Sequence, residues 1–193
     1  LFDPDNRMNP GVMVEAQPIT ENLRDPALPP PGPLETRLHF PDGMRAAADR
    51  CQRIGACRKT GIGVMCPSYM ATREEEHATR GRADALVKAL SSPDPRAAMG
   101  DERLHEILDL CLECKACKSE CPLSVDMASL KAEFLSHYQD AHGVPLRSRL
   151  FGSIRTLNRV GSATAPLSNL APRRLLERVA GTDHRRPLPR FAR

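Results

Sequence analysis

The sequence predicts an all-α fold flanked by extended segments. Several stretches between residues 44 and 138 repeat apolar side chains at intervals of three and four, the period of one helix face. Residues 16–35 hold six prolines and few apolar side chains, a composition typical of an extended, semi-rigid linker. Leu38 and Phe40 alternate with polar neighbours before a Pro-Asp-Gly turn, so a very short strand or hairpin is predicted there.

The composition indicates a thin hydrophobic core. Leu, Ile, Val and Phe make up about one fifth of the 193 residues, close to the level at which chains stop folding unaided. A large share of the folding free energy is therefore expected from inorganic cofactors. The seven cysteines are an odd number, and the sequence shows neither a signal peptide nor an apolar run of membrane-spanning length. A disulfide framework is therefore disfavoured, and a reducing cytoplasmic compartment is expected.

Two helices are predicted upstream of residue 91. Residues 44–50 have a helical pattern that leads into the first cysteine of the chain. Residues 69–90 form the second predicted helix, with a break at Gly81, because glycine is unfavourable inside a helix. Its apolar face consists of side chains at helical spacing, namely Ala83, Leu86, Val87 and Leu90.

Two further helices are predicted downstream. Asp101 and Glu102 open the first with the acidic residues that the helix dipole favours at its N-terminus. Asp126 is predicted to cap the second helix, which Gly143 and Pro145 end. The apolar stripe of the first consists of Leu104, Ile107, Leu108 and Cys111, and that of the second of Met127, Leu130, Phe134, Leu135 and Tyr138.

The most specific pattern lies between Cys111 and Pro122, which reads C-L-E-C-K-A-C-K-S-E-C-P. Its four thiols are spaced by two, two and three residues and are followed by proline, the bacterial ligand run for iron–sulfur clusters. In that run the first three cysteines hold one cluster and the fourth ligates another. The pattern therefore predicts two clusters and further cysteine ligands upstream.

The upstream cysteines are Cys51, Cys57 and Cys66, and Cys66 is followed by proline as Cys121 is. In C-Q-R-I-G-A-C, Ile54 occupies the position that the second cysteine takes in the downstream run. The two halves of the chain therefore look like a degenerate repeat, in which one ligand position has become apolar.

The predicted ligands divide into two sets. Cluster A takes Cys66, Cys111, Cys114 and Cys117, which is the full thiolate set of a [4Fe–4S] cluster. Cluster B takes Cys51, Cys57 and Cys121, which leaves one corner without a thiolate. Because Ile54 cannot coordinate iron, cluster B is predicted to be [3Fe–4S] or a labile [4Fe–4S].

Zinc is the main alternative metal. Structural zinc sites with four cysteines usually draw them from two C-x2-C pairs that are well separated in sequence. Three cysteines at successive intervals of two do not suit a single tetrahedral ion, so zinc is disfavoured. Arg80 and Arg82 are predicted, together with Ile54, to belong to the cluster environment, where positive charge would offset the thiolates. Plain surface positions are the alternative for both arginines.

Three segments resemble the iron–sulfur region of large bacterial FAD-linked oxidoreductases that act on D-2-hydroxy acids such as D-lactate or D-2-hydroxyglutarate. They are residues 57–82, which begin C-R-K-T-G-I-G-V-M-C-P, residues 111–135, and residues 141–152, A-H-G-V-P-L-R-S-R-L-F-G. Residues 1–13, L-F-D-P-D-N-R-M-N-P-G-V-M, resemble the last residues of the flavin domain in that family. The C-x-x-I-x-x-C pattern is also similar to one beside a three-iron cluster in the iron–sulfur subunit of succinate dehydrogenase.

The resemblance implies a domain order. In that family a flavin domain precedes an α-helical ferredoxin domain, which is often followed by a cysteine-rich domain. Residues 1–15 are then the end of a flavin domain, and residues 16–43 a proline-rich linker. Residues 44–145 are expected to form the α-helical ferredoxin domain with both clusters, and residues 146–193 a helical and basic tail that leads to a further domain.

The function implied is an electron-transfer module. It would relay electrons from FAD, in a flavin domain on the same or a separate polypeptide, to an acceptor such as a quinone or a cytochrome. No complete active site is expected in this chain, because nucleophile–base pairs, phosphate loops and paired carboxylates are not apparent. The alternative is a cluster catalyst in which an open iron of cluster B acts as a Lewis acid.

The C-terminal tail is rich in arginine. Residues 173–193 hold seven arginines against Glu177 and Asp183. A solvated tail is the favoured interpretation, and a peripheral contact with anionic lipid or with a partner protein is the alternative. Nucleic acid is not predicted as a partner, because aromatic residues are not interleaved with the charges.

Overall fold

The computed structural model describes residues 32–170 without a gap, together with Arg7, Pro18 and scattered positions after residue 170. The described part of the chain is helical and contains no strand, which confirms the predicted all-α class. The predictions for residues 1–15, for most of the linker and for most of the arginine-rich tail lie outside the described residues.

Ten α-helices follow one another along the described residues. They are α1 (Gly43–Asp49), α2 (Pro67–Thr72), α3 (Thr79–Leu90), α4 (Pro95–Ala98), α5 (Glu102–Asp109), α6 (Ala116–Glu120), α7 (Met127–His142), α8 (Leu146–Gly152), α9 (Ile154–Ala163) and α10 (Ala165–Ser168). Two short 3₁₀ turns, Ala56–Arg58 and Glu75–His77, lie between α1 and α3.

The hydrophobic core lies where α1, α3, α5 and α7 pack together. Leu86 and Leu90 of α3, Leu108 of α5, and Leu130 and Phe134 of α7 are all almost fully buried. The apolar stripes predicted for these helices therefore face the core. Four cysteines are buried in the same core, namely Cys51, Cys57, Cys66 and Cys117, so the candidate ligands are part of the packed interior.

The predicted helix caps are confirmed. The carboxylate of Asp101 accepts a hydrogen bond from Leu104 N (2.8 Å), and that of Asp126 accepts one from Ser129 N (3.1 Å). Gly143 follows the last residue of α7 with a positive φ of 85°, a conformation that glycine adopts without steric cost. The positions of α5 and α7 are thus set by local sequence signals.

The single helix predicted over residues 69–90, with a break at Gly81, is wrong. The chain forms α2, leaves the helix at Arg73 (φ 64°), makes a 3₁₀ turn and re-enters a helix at Thr79. Gly81 lies inside α3, where a Cβ atom would overlap the backbone of Glu75 and Glu76. The glycine is needed for this close approach of two backbone segments rather than for a helix break.

The short strand predicted at Leu38 and Phe40 is also wrong. The backbone N–H groups of Arg37 and Leu38 donate to the two carboxylate oxygens of Glu133, at 2.9 and 2.8 Å. Glu133 lies in α7 and is buried, and its Oε1 also lies 3.0 Å from His137 Nε2. One side chain thus binds the backbone donors that a neighbouring strand would have bound, and it fixes this segment against α7.

The helices after Pro145 pack loosely. Ile154 and Leu157, both in α9, are 49% and 40% exposed. None of the described helices combines the length and the apolar character needed to cross a membrane.

We expect Gly81→Ala to lower the free energy of unfolding by about 1–3 kcal/mol, the usual cost of overpacking, because its Cβ overlaps the backbone of Glu75. Anaerobic denaturant unfolding of the cluster-loaded protein measures the change. Gly152→Ala is the matched control, since a Cβ there meets nothing within 4 Å and alanine favours a helix over glycine by roughly 0.5–1 kcal/mol. Equal effects of the two variants would contradict the close approach at Gly81.

Candidate metal centre

The cysteines line two separate cavities. The first cavity is lined by Cys66, Cys111, Cys114 and Cys117. The second is lined by Cys51, Cys57 and Cys121, with Ile54 beside them. These are the same two sets that the cysteine spacing predicts, and none of the seven cysteines forms a disulfide among the described residues. Their roles as cluster ligands stay a prediction.

The first cavity is built from two loop–helix junctions. Cys66 directly precedes α2, and Pro67 occupies the first position of that helix, where its missing N–H has no cost. Cys111 lies just beyond the end of α5. The loop that follows turns through two residues with positive φ, Glu113 (52°) and Lys115 (59°), before α6 begins. This tight loop brings three closely spaced thiols to one cavity.

Helix α6 connects the two cavities. Cys117 lies within α6 and lines the first cavity, while Cys121 follows the last residue of α6 and lines the second. Cys121 N donates to Cys117 O at 3.1 Å, so one helical turn separates the two thiols. Met65 and Thr79 line both cavities and are almost fully buried. The two cavities therefore share a wall that is closed to solvent.

Glu120 holds the upstream loop against α6. Its Oε1 accepts from Val64 N at 2.8 Å and its Oε2 from Met65 N at 3.1 Å. These two backbone hydrogen bonds lower the pKa of Glu120 below the ordinary glutamate value. Because residue 65 directly precedes Cys66, the carboxylate fixes this cysteine relative to α6. Sequence analysis did not identify Glu120, and its only signal was its place directly before Cys121.

The two arginines predicted near the cysteines lie beside different cavities. Arg82 is fully buried, and its Nη1 lies 3.5 Å from Cys66 Sγ. Arg80 lines the second cavity, where its backbone N–H bonds to Cys57, and its side chain pairs with Glu75 at 2.5 Å. Both arginines therefore lie next to cysteines, and their role in a cluster environment stays a prediction.

A buried lysine near the first cavity was not identified from the sequence. Lys131 Nζ donates to the backbone carbonyls of Cys111 (2.7 Å) and Asp109 (3.0 Å), and it lies 3.6 Å from Glu113 Oε1. It thereby holds the start of the cysteine loop on α7. A lysine on the apolar side of a predicted helix is only a weak sequence signal of such a buried contact. Its aliphatic stem packs like an apolar side chain, while its amine reaches a partner that is distant in sequence.

Burial controls the acidity of the thiols. It raises the pKa of Cys57, Cys111 and Cys117, and it outweighs the opposing effect of nearby backbone hydrogen bonds and cations. The thiolate is the form that binds metal, so loading these cavities must release protons.

The donors of both cavities suit iron–sulfur clusters. Cysteine thiols are the ligands that hold such clusters, and four of them line the first cavity. The guanidinium of Arg82 adds a buried donor, Nη2, that has no acceptor among the described residues. The same side chain contacts Cys66, one of the four thiols, through Nη1, so positive charge lies next to a donor set that would carry negative charge with a cluster bound.

Residues 47–125 match the family of the 4Fe-4S dicluster domain. This part of the chain is therefore similar to a 4Fe-4S dicluster domain. The chain is also similar to D-2-hydroxyglutarate dehydrogenase of Pseudomonas putida, with 29% identity over 79% of this chain and 19% of the relative. The corresponding enzyme of Haemophilus influenzae is 25% identical over 80% of this chain and 18% of the relative. A probable glycolate oxidase iron-sulfur subunit of Bacillus subtilis is 33% identical over 49% of this chain and 20% of the relative.

The chain spans about one fifth of the length of these curated relatives. No solved structure matches it. The resemblance to the iron–sulfur region of D-2-hydroxy acid dehydrogenases is confirmed. Iron–sulfur electron transfer is therefore the chemistry of the dicluster domain in this chain.

We expect Glu120→Ala to increase the rate of iron loss to a chelator severalfold, because the N–H groups of Val64 and Met65 lose their acceptor and the loop before Cys66 loosens. Iron release from anaerobically purified protein, followed by absorbance, measures the rate. Glu106→Ala is the control, since this exposed carboxylate only pairs with Arg103 on the surface of α5. If the Glu120→Ala protein releases iron at the wild-type rate, Glu120 does not anchor the loop before Cys66.

Proposed function

We propose that this chain is the electron-transfer module of an FAD-linked D-2-hydroxy acid dehydrogenase. It carries single electrons from a flavin, in a domain on the same or a separate polypeptide, to an acceptor such as a quinone or a cytochrome. The observation that carries the proposal is the pair of thiol-lined cavities with a common buried wall inside a dicluster domain. The similarity to D-2-hydroxyglutarate dehydrogenases supports the substrate class.

We assign the cysteine ligands to two clusters according to the cavity that each thiol lines. Four thiols would hold a [4Fe–4S] cluster A in the first cavity, and three would hold cluster B, a [3Fe–4S] or labile [4Fe–4S], in the second. Bound clusters supply one-electron storage at potentials that the surrounding protein sets. The lining of the second cavity supports the three-thiolate assignment, since Ile54 stands beside the cysteines without a fourth thiol.

The chain contributes to this function by holding and insulating the two sites. The common wall of Met65 and Thr79 keeps water from the space between the cavities. Lys131 and Glu120 fix the loops that carry the cysteines, so the distance between the sites is set by packed elements rather than by mobile loops. A short, dry and rigid separation suits electron transfer.

A Lewis-acid catalyst is the second candidate, and the second cavity does not favour it. Its walls are largely apolar, with Ile54, Leu123 and Val125 among them, and contain no carboxylate or histidine to act as a general acid or base.

The remaining parts of the chain are proposed to connect this module to others. Residues 1–15 would end a flavin domain, residues 16–43 would link it to the dicluster domain of residues 44–145, and residues 146–193 would lead onward. The segment that Glu133 binds lies inside residues 16–43, so the end of this linker packs against α7 of the next domain.

Helices α8 and α9 are proposed to contact an anionic membrane surface on the cytoplasmic side. They carry four arginines, residues 141–170 contain no acidic side chain, and Leu146, Phe151 and Val160 are about half exposed or more. Apolar side chains interleaved with arginine are typical of helices that lie in the interface of anionic lipid. Free thiols agree with a cytoplasmic location.

We expect the protein to co-sediment with vesicles that contain anionic lipid and to remain in solution with purely zwitterionic vesicles, because arginine supplies the attraction. Val160→Asp should weaken the sedimentation. If the protein does not bind the vesicles but does bind a separately expressed flavin domain in the absence of lipid, this surface would be assigned to contact with that domain instead.

The proposed function is tested by anaerobic metal and sulfide analysis. Two clusters predict about seven or eight irons with matching sulfide, whereas a zinc protein would be colourless and free of sulfide. A three-iron EPR signal in the oxidised protein would identify cluster B, and Ile54→Cys should remove that signal by adding the fourth thiolate.

We expect Cys121→Ala to abolish cluster B and to leave cluster A intact, although Cys121 belongs to the same run as the ligands of cluster A. Cys114→Ala is the reciprocal control, since its thiol lines the first cavity. Cluster-resolved EPR of both variants distinguishes the sites. Loss of cluster A in Cys121→Ala, with cluster B retained, would overturn the assignment.

A further inference from the structure

The side chain of Arg82 has an unsatisfied donor. Its Nε donates to Ile107 O at 3.0 Å, and its Nη1 donates to Ser68 Oγ at 2.9 Å and to Cys66 Sγ at 3.5 Å. Its Nη2 is buried and has no acceptor among the described residues. A buried donor without an acceptor destabilises the folded state, and more so when it is charged, so the folded protein is expected to supply an acceptor here.

The positive charge of Arg82 is also not neutralised by its neighbours. All three of its acceptors are uncharged groups when Cys66 is a thiol, and the residue is fully buried. Arg80, two residues earlier, differs in both respects, because its partly exposed side chain pairs with the carboxylate of Glu75. The two cavities therefore have different electrostatic surroundings, although both adjoin α3.

The field of this guanidinium reaches across the first cavity. Burial raises the pKa of the Cys111 thiol, and the positive charges of Arg82 and Lys131 act in the opposite direction. Cys66 and Cys111 both line the cavity, and Arg82 acts on each of them, through contact with the first and through its charge on the second. Lys131 adds a second buried cation, partly offset by Glu113 at 3.6 Å.

We propose that Arg82, whose Nη1 donates to Cys66 Sγ, selectively raises the reduction potential of the cluster in the first cavity through its positive charge. The inference rests on the proposed function, since it requires a cluster in that cavity. Reduction adds one negative charge to the cluster. An uncompensated positive charge in a medium of low dielectric constant stabilises the reduced form. The reduction potential of the cluster in the second cavity is raised less, because Glu75 offsets the charge of Arg80.

The test is Arg82→Gln in the cluster-loaded protein, which keeps an amide donor and removes the charge. We expect the midpoint potential of cluster A, from an EPR-monitored redox titration, to become more negative. A tenfold or greater change in the reduction equilibrium is expected, which is 59 mV or more for one electron. The potential of cluster B should stay the same. Arg82→Lys, which keeps the charge, should retain most of the wild-type potential.

Arg103→Gln is the matched control, because Arg103 is an exposed arginine on α5 whose partners are Glu76 and Glu106. It should leave both potentials unchanged. An unchanged cluster A potential in Arg82→Gln, or an equal shift in Arg103→Gln, would overturn the selective role of Arg82.

A measurement on the unaltered protein covers the case in which Arg82→Gln fails to load cluster A. Pulsed EPR of protein labelled with ¹⁵N-arginine should detect coupling between reduced cluster A and an arginine nitrogen, and absence of that coupling would refute the hydrogen bond. Wild-type protein without iron and sulfide would refute the proposed function as a whole. Two intact clusters with an unaltered potential in Arg82→Gln would refute this inference alone.

Discussion

Cys117 lies within α6 and Cys121 directly follows that helix, so one helical turn joins thiols that line different cavities. A turn of helix rises about 5.4 Å, which forces the two cavities to be neighbours. Met65 and Thr79 are buried and line both cavities, so they separate the two sites. Helix α6 also carries Glu120, which binds the backbone directly before Cys66.

The loops around the cavities have no sheet to bind their backbone groups, and charged side chains take over that role. Glu133 binds the backbone before α1, Glu120 binds the backbone before Cys66, and Lys131 binds the carbonyl of Cys111. Arg82 binds the carbonyl of Ile107 in α5. Each of these bonds joins segments that are distant in sequence, so a thin apolar core can still hold the cysteine loops in fixed positions. The same side chains bring charge close to the thiols, and structural and electrostatic roles therefore coincide.

Local sequence signals predicted the parts of the fold that depend on neighbours in the chain. The caps at Asp101 and Asp126 and the end of α7 at Gly143 are confirmed, because a cap is decided within a few residues. The predictions at Leu38 and Gly81 failed for the opposite reason. The first segment is held by a glutamate of α7, and Gly81 is required by the approach of the turn at Glu75. Neither contact produces a periodic pattern of residues in the sequence.

The sequence by itself determined the chemistry of the centre and how its thiols divide into two sets. Ligand spacing is a property of the covalent chain, and a tight loop limits which cysteines can reach one cluster. Only the tertiary structure decided which cation lies beside which cavity. Arg80 and Arg82 are two residues apart and therefore about 200° apart around α3, so they point in nearly opposite directions. The packing of α3 buries Arg82 against Cys66 and leaves Arg80 paired with Glu75.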